Sequence, residues 1–468
     1  MPPVSAGPRV VESILDLVGN TPVVPLRRVA AGSPYRLLAK LEFLNPGGSV
    51  KDRIGSRMIA AAERDGRLKP GGTIVEATSG NTGVGLALVG AVRGYRTVFV
   101  IPDKMSTEKI RLLRAYGARV IVTPSGVPPN HPMSHYSVAQ RVANEIPGAY
   151  YPNQYENSAN PDSHYEATGP EIDHGIGKEL RAVVGTIGTG GTMSGVGRYL
   201  KEHRPDVKVV AVDPLGSVLE PYFRTHEPAA AVPYLVEGIG EDKVPKTIDF
   251  RYFDDVVTVD DRESFVMARR LAREEGLFVG GSSGSAVVGA LKWLAARPLP
   301  DGATVAVILP DSGDRYLSKL YSDDWMVEKG FLGAGATARS LLAAKSGTPA
   351  LVSVDRTTVV RDALARLREN GITQMPVLAG SECPGSVQED ELLRRSLEDA
   401  TVLDRTVTAV LAPPFPEVTA DASVADLLNR LREERAVLVR EPETGVAIGV
   451  LTRHDLVGFL SEGGRGEV

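Results

Sequence analysis

At 468 residues the chain is too long for one ordinary hydrophobic core, so two or three domains are expected. Its 43% hydrophobic and 24% charged residues are the balance of a soluble globular protein, and a net charge of −5 with no Lys/Arg-rich run argues against nucleic acid. A lone cysteine (Cys383), no run near the roughly 18 apolar residues of a membrane span and no signal-peptide core exclude a disulfide framework and an anchor, and point to the cytoplasm.

The first stretch that carries chemistry is Asn45-Pro46-Gly47-Gly48-Ser49-Val50-Lys51-Asp52-Arg53. An apolar, strand-like run over 37–43 leads into this Gly-rich turn, and the pattern beyond it predicts an amphipathic helix from about 50 to 63. Lys51 falls in the first helical turn, where unpaired N–H groups make the local field positive. A cation is poorly placed there, which favours a lowered pKa and a nucleophilic, Schiff-base-forming amine. A surface lysine beside Asp52 fits the same spacing, and the remainder of the chain has to decide.

From 37 to about 311, β-branched runs at 73–77, 96–101, 119–122, 182–187, 207–212 and 304–309 alternate with helical patterns. The helices are expected at 82–92, 106–116, 137–145, 193–202, 262–275 and 285–296. This rhythm predicts an α/β fold with a mostly parallel sheet covered by helices on both faces. Ligands then bind beyond the carboxyl ends of the strands, where several turns are rich in Gly, Ser and Thr.

Thr78-Ser79-Gly80-Asn81-Thr82-Gly83 follows one strand and opens a helix, as an anion cradle or an ordinary capped turn would. Gly188-Thr189-Gly190-Gly191-Thr192 does the same; it has neither the dinucleotide glycine spacing nor the Lys of a P-loop, and suits a small phosphate cofactor or a tight turn. In Val279-Gly280-Gly281-Ser282-Ser283-Gly284-Ser285 a serine hydroxyl is placed to meet a ring nitrogen or to cap a helix. Glu237-Gly238-Ile239-Gly240 reads as a flexible turn, weakly as a gate over a pocket. His131, His135 and His164 show no ligand spacing and are assigned no metal.

After 332 the composition turns to Gly-Ala-Gly-Ala-Thr-Ala, a linker through about 346. Beyond it, Val360-x-Asp362-x-Leu364-x-Arg366-Leu367-Arg368-Glu369 returns as Val424-x-Asp426-x-Leu428-x-Arg430-Leu431-Arg432-Glu433. Two such units are expected to pack face to face. Thr452 and Asp455 end the second copy with groups suited to a ribose or a charged small molecule, while Gln388 and Glu391 stand in their places in the first.

Taken together, Gly19-Asn20-Thr21-Pro22, Ser49-Val50-Lys51-Asp52-Arg53 and the two loops at 78–83 and 188–192 resemble the β-family, fold type II, of pyridoxal-phosphate enzymes. The stretches Ala61-Ala62-Glu63-Arg64-Asp65-Gly66 and Met105-Ser106-Thr107-Glu108-Lys109, the turn at 237–240 and the run from Pro310-Asp311-Ser312 to Asp324-Trp325-Met326 are similar to its cystathionine β-synthase branch. The C-terminal repeats resemble a pair of CBS domains, a Bateman module. The resemblance implies a catalytic domain over 1–331, the linker at 332–346 and an α+β module over 347–468 with repeats at about 347–395 and 407–464.

By position, the resemblance makes Lys51 the residue that holds pyridoxal phosphate and acts as the catalytic base. Asn81 would meet the ring oxygen; Gly188, Thr189, Gly190, Gly191 and Thr192 the phosphate; and Ser282 the ring nitrogen. Thr78, Ser79, Thr82 and Gln154 would hold the substrate carboxylate, with Gly238 at the gate. The implied reaction joins L-serine and L-homocysteine into cystathionine with loss of water. A neutral Ser282 leaves the ring nitrogen unprotonated and favours β-replacement over transamination, so Ser282→Asp is expected to cost activity, and an unchanged rate would contradict this. Animal members carry an N-terminal haem segment with a Cys ligand; here the leader is short and Cys383 lies far away, so no haem is expected. Glu241 stands where some relatives have Tyr, which bears on the second substrate. Thr452 and Asp455 imply one S-adenosylmethionine site per module. The branch also implies a homo-oligomer, dimer or tetramer. The competing readings are a cysteine synthase using O-acetylserine and sulfide, and an adenosyl-ligand sensor with an inactive enzyme half. The intact Lys51 and cofactor loops argue against the sensor.

Overall fold

The computed structural model describes residues 10–78, 80–128, 130–332, 336–345 and 347–461. Ser79, residues 333–335 and 346 of the expected linker, and the end of the second repeat at 462–464 lie outside the described residues. The chain forms two units, Met1–Tyr321 and Ser322–Val468.

In chain order the strands of the first unit are β1 (Val23–Pro25), β2 (Arg36–Leu41), β3 (Thr73–Ala77), β4 (Arg96–Pro102), β5 (Arg119–Thr123), β6 (Ala149–Tyr150), β7 (Leu180–Thr186), β8 (Lys208–Pro214), β9 (Asp255–Val259) and β10 (Thr304–Leu309). They build two sheets, ordered β1-β2-β10-β7-β8-β9 and β5-β4-β3-β6. Every pairing is parallel except β1 on β2. The central strands are mostly apolar because helices cover both faces. Along β10, Val305, Val307 and Leu309 enter one core while Ala306 and Ile308 enter another, as a two-residue side-chain period requires. A third core lies between the helices Lys51–Arg64 and Asn81–Arg93 and the smaller sheet, around Ile54, Met58, Ile74 and Phe99. The mixed α/β architecture with mostly parallel sheets is therefore the one expected, and the structure adds which strands belong to each sheet.

The second unit repeats itself. β11 (Val354–Asp355), β12 (Gln374–Ala379) and β13 (Glu382–Gln388) form one three-stranded sheet, and β14 (Glu417–Thr419), β15 (Ala436–Arg440) and β16 (Ala447–Thr452) form another with the same parallel-then-antiparallel pairing. Their amphipathic helices, Val360–Glu369 and Val424–Glu433, bury Val360, Ala363 and Leu367 in one copy and Val424, Leu427 and Leu431 in the other. A helix, Ala338–Ala344, occupies part of the expected linker, because Ala338 and Leu341 share a face and pack on the core around Val424 and Leu427. Among the described residues no helix is long and apolar enough to cross a membrane.

Candidate active site

Lys51 begins its helix directly after the Gly47-Gly48 turn, and the turn is held from two sides. On one side, Ser49 bridges Asp311, the Val50 N–H donates to Pro310 O at 2.8 Å and the Ser312 N–H to Gly48 O at 3.2 Å. On the other, Arg53 donates twice to Glu42 and twice to Glu171, at 2.7–2.8 Å, with Lys40 Nζ on Glu171 at 2.6 Å. These charges are almost wholly buried and mutually paired, an arrangement in which losing one partner costs about 3–5 kcal/mol. The Gly19-Asn20-Thr21-Pro22 motif joins in from below: the Gly19 N–H donates to Asn45 Oδ1, the Asn20 N–H to Glu171 and Thr21 Oγ1 to Glu42.

The amine of Lys51 is itself left without a hydrogen-bond or ion-pair partner among the described residues. Burial pulls its pKa down, against the attraction of Asp311 and Glu241 for the ammonium form. A lysine poised in this way offers a neutral nucleophile and base. Its distance from the loop at 78–83 is fixed by two glycines. A Cβ on Gly55 would lie 2.7 Å from the Gly85 carbonyl carbon, and one on Gly85 2.6 Å from Lys51 O, so the two helices cross backbone to backbone.

In the loop after β3, Thr78 is buried and its hydroxyl accepts from the N–H groups of Gly80 and Gly83. Thr82 Oγ1 donates to Gln154 Oε1 at 2.5 Å, and the Gln154 amide donates to Ala77 O. Buried Glu76 accepts the N–H groups of Asn153 and Gln154 and so fixes that turn; burial pushes its carboxyl up to about 8, against those two donors.

The loop after β7 opens the helix Gly191–His203. Gly190 has φ +79°, and a Cβ there would overlap Ile248, as one on Gly191 would overlap Asn160. Neighbours also hold the threonines: Asn160 Nδ2 donates to Thr189 Oγ1 at 3.1 Å, Thr247 Oγ1 donates to Thr189 O at 2.6 Å, and Thr192 Oγ1 meets His164 Nε2 at 3.2 Å. A small cavity is lined by Lys51, Gly188, Thr189, Gly190 and Thr192. A larger one of 460 Å³ is lined by Lys51, Gln154, Tyr155, Gly238 and Glu241 among others. Lys51, Thr189, Gly238 and Ile239 border both.

Sequence reasoning assigned no role to Asp311, the buried hub of this region. Asn81 Nδ2 donates to it at 2.7 Å and Tyr316 OH at 2.5 Å, while Ser282 Oγ lies 3.5 Å from its other oxygen. Arg315 donates to Asn81 Oδ1 and to Gly47 O, joining the amide to the Lys51 turn. An acid just past the end of an all-apolar parallel strand was the available signal. Ser282→Asp would set a second carboxylate beside this one, which adds like-charge repulsion to the expected loss of activity. Glu237, also unassigned, is buried between Lys109 Nζ at 2.8 Å and Lys319 Nζ at 2.5 Å and anchors the turn at 237–240. Among the described residues no group of three or more His, Cys, Asp or Glu could hold a metal ion.

In the second unit a 280 Å³ cavity is lined by Lys345, Thr373, Val450, Thr452, His454 and Asp455 among others. Asp455 Oδ2 accepts from Thr452 N and Oγ1 at 2.8 and 2.7 Å, and Lys345 Nζ lies 3.3 Å away. In the first repeat, Glu391 instead pairs with Arg394 and Arg395, and the Gln388 amide donates to Ser386.

Comparison with known proteins identifies the family. The family described as "Pyridoxal-phosphate dependent enzyme" matches residues 14–311, and the CBS domain matches 347–398 and 407–462. A cystathionine beta-synthase of Dictyostelium discoideum is 38% identical, over 96% of this chain and 92% of its own. One of Mus musculus is 45% identical, over 92% of this chain and 78% of its own. The crystal structure of an O-acetylserine dependent cystathionine beta-synthase from Helicobacter pylori superposes with a TM-score of 0.61 at 40% identity, covering 66% of this chain and 98% of that one.

Proposed function

The chain belongs to the pyridoxal-phosphate dependent enzymes and carries two CBS domains, and from that premise we propose that it acts as a cystathionine β-synthase, a lyase that joins L-serine to L-homocysteine with release of water. The residues suit the cofactor. A glycine-rich turn at the N-terminus of a 13-residue helix offers N–H and hydroxyl donors to a phosphate. An unpartnered amine with a depressed pKa borders the same cavity. That shared border, with Lys51 facing the cradle on one side and the substrate cavity on the other, is the observation that carries the reading.

Residues 188–192 would hold the phosphate, Asn81 the ring oxygen and Ser282 the ring nitrogen, and Lys51 would anchor the resting cofactor until the substrate's own amine takes its place and frees Nζ. When bound, pyridoxal phosphate supplies an electron sink for negative charge developing at the substrate Cα. Thr78, Ser79, Thr82 and Gln154 bind the serine carboxylate and so present the Cα–H toward Lys51. Lys51 Nζ takes the Cα proton and delivers a proton to the serine hydroxyl oxygen as it departs. The homocysteine sulfur then bonds to Cβ from the larger cavity as its S–H proton passes to Lys51 Nζ, which returns a proton to Cα. The deciding assay runs serine plus homocysteine beside O-acetylserine plus sulfide on the purified protein. Cystathionine as the faster product supports the reading; cysteine as the sole efficient product moves it to a cysteine synthase.

The cavity at Thr452 and Asp455 supports one adenosyl-ligand site per chain, for S-adenosylmethionine, because its counterpart residues Gln388 and Glu391 are engaged elsewhere. Calorimetry should give one site per chain, lost in Asp455→Ala; two equal sites would refute it. The reading carries with it a homo-oligomer, dimer or tetramer, in the cytoplasm, and no haem. A monomer mass by light scattering would sink the first, a membrane-pelleted or secreted protein the second, and a Soret band the third.

A further inference from the structure

Glu241 lines the 460 Å³ cavity that Lys51 also lines. Its backbone is clamped: its N–H donates to Ser217 Oγ at 3.0 Å and its carbonyl accepts the Val218 N–H at 3.0 Å. The carboxylate, in contrast, has no hydrogen-bond or ion-pair partner among the described residues. Of the other acids near it, Glu237 is committed to Lys109 and Lys319 and Asp261 to the N–H groups of Leu235 and Val236, while Asp242 lines the same cavity beside it. Burial and the neighbouring Asp242 push the Glu241 carboxyl up to about 8, against Lys243 and Lys104. A partly buried, unpaired acid on a fixed root at the wall of a cavity is costly unless a cation arrives with the ligand.

We infer that Glu241 is the specificity-determining residue for the second substrate, its carboxylate receiving the α-ammonium of an amino-acid thiol. This rests on the proposed β-replacement reaction and deepens it. Serine's carboxylate is assigned to the Thr82–Gln154 side of the cavity, which leaves the Glu241 side for the incoming thiol. Lys104, on the same wall with its Nζ 5.6 Å from the Tyr234 ring centre, offers the complementary cation for the thiol substrate's carboxylate. Together the acid and the base recognise a zwitterion. Inorganic sulfide has neither group and gains nothing from them, so this wall selects an amino-acid thiol over sulfide.

The test uses the full-length holoenzyme with saturating L-serine and two thiols, L-homocysteine and 4-mercaptobutyrate, which is the same molecule without its amine. The wild type should show a KM about tenfold or more lower for homocysteine, the size of a hydrogen bond to a charged group. In Glu241→Gln the homocysteine KM should rise by about that factor, with a much smaller change in kcat and in the serine KM, and the 4-mercaptobutyrate KM should hardly move. Glu241→Asp, which keeps the charge, should retain part of the preference. An unchanged homocysteine KM in Glu241→Gln, or an equal rise for both thiols, would overturn the inference. A wild type that couples neither thiol but makes cysteine from sulfide would overturn the parent reaction and this inference with it, a different and recognisable result.

Discussion

Lys51→Ala should reduce cystathionine formation by about 10³-fold or more while leaving the protein folded, and rates measured beside thermal unfolding will show both. The activity loss follows from removing the cofactor's anchor and the acid–base group at once, of which the proton transfers alone are worth about 10²- to 10⁴-fold. The retained fold follows from what the side chain does not do. Its amine has no partner among the described residues, whereas its backbone N–H donates to Ser49 Oγ at 3.2 Å and survives the substitution. Deleting a lone amine removes a desolvation cost, so the variant should unfold at the temperature of the cofactor-free wild type or slightly above it. Lys51→Arg should not rescue activity, because a guanidinium does not give up its proton in this range. A Lys51→Ala protein with substantial turnover would overturn the assignment of the site.

Asp311→Ala should be damaging in the opposite way, by loosening the site and the fold together. The buried carboxylate gathers the Asn81 amide and the Tyr316 hydroxyl, and alanine leaves both donors unsatisfied. At about 1–3 kcal/mol for each, destabilisation of about 2–6 kcal/mol is expected, to be read from the urea midpoint. Activity should fall even where the protein remains folded, since Asn81 would then be held by Arg315 alone. Both donors meet the same Asp311 oxygen, so the amide oxygen of Asp311→Asn can still accept them and loses only the charge that strengthens each bond; it should fall between the wild type and Asp311→Ala. A variant of wild-type stability and rate would mean that the hub is ornamental.

The contrast between these two residues shows what a one-dimensional reading reaches. Lys51 was legible because its turn, its position in a helical first turn and the small residues around it are local. The strands 73–77 and 304–309 were legible to the residue, since doubly buried parallel strands are written as near-continuous apolar runs, interrupted here only by Thr73, Glu76 and Thr304. Asp311 was not, because Asn81 lies 230 positions away and nothing in either segment announces the other. The Lys109–Glu237–Lys319 cluster escaped for the same reason: in the sequence each is an ordinary helix or loop charge. Which strands share a sheet was hidden as well, since strands of both sheets have the same composition. Short β6 and the helix Ala338–Ala344 fell below what periodicity resolves in so few residues.

The pairing of β2 with β10 also sets a timetable. During synthesis β2 leaves the ribosome about 270 residues ahead of its parallel neighbour, an interval of roughly 15–50 s at ordinary elongation rates. Throughout that time the Val50 N–H has no Pro310 carbonyl to bond and Ser49 has no Asp311 to bridge. A nascent chain halted just before β10 would already contain every cofactor loop, and still have its lysine on an untethered turn. The reactive amine is locked into place by nearly the last residues of the unit to be made.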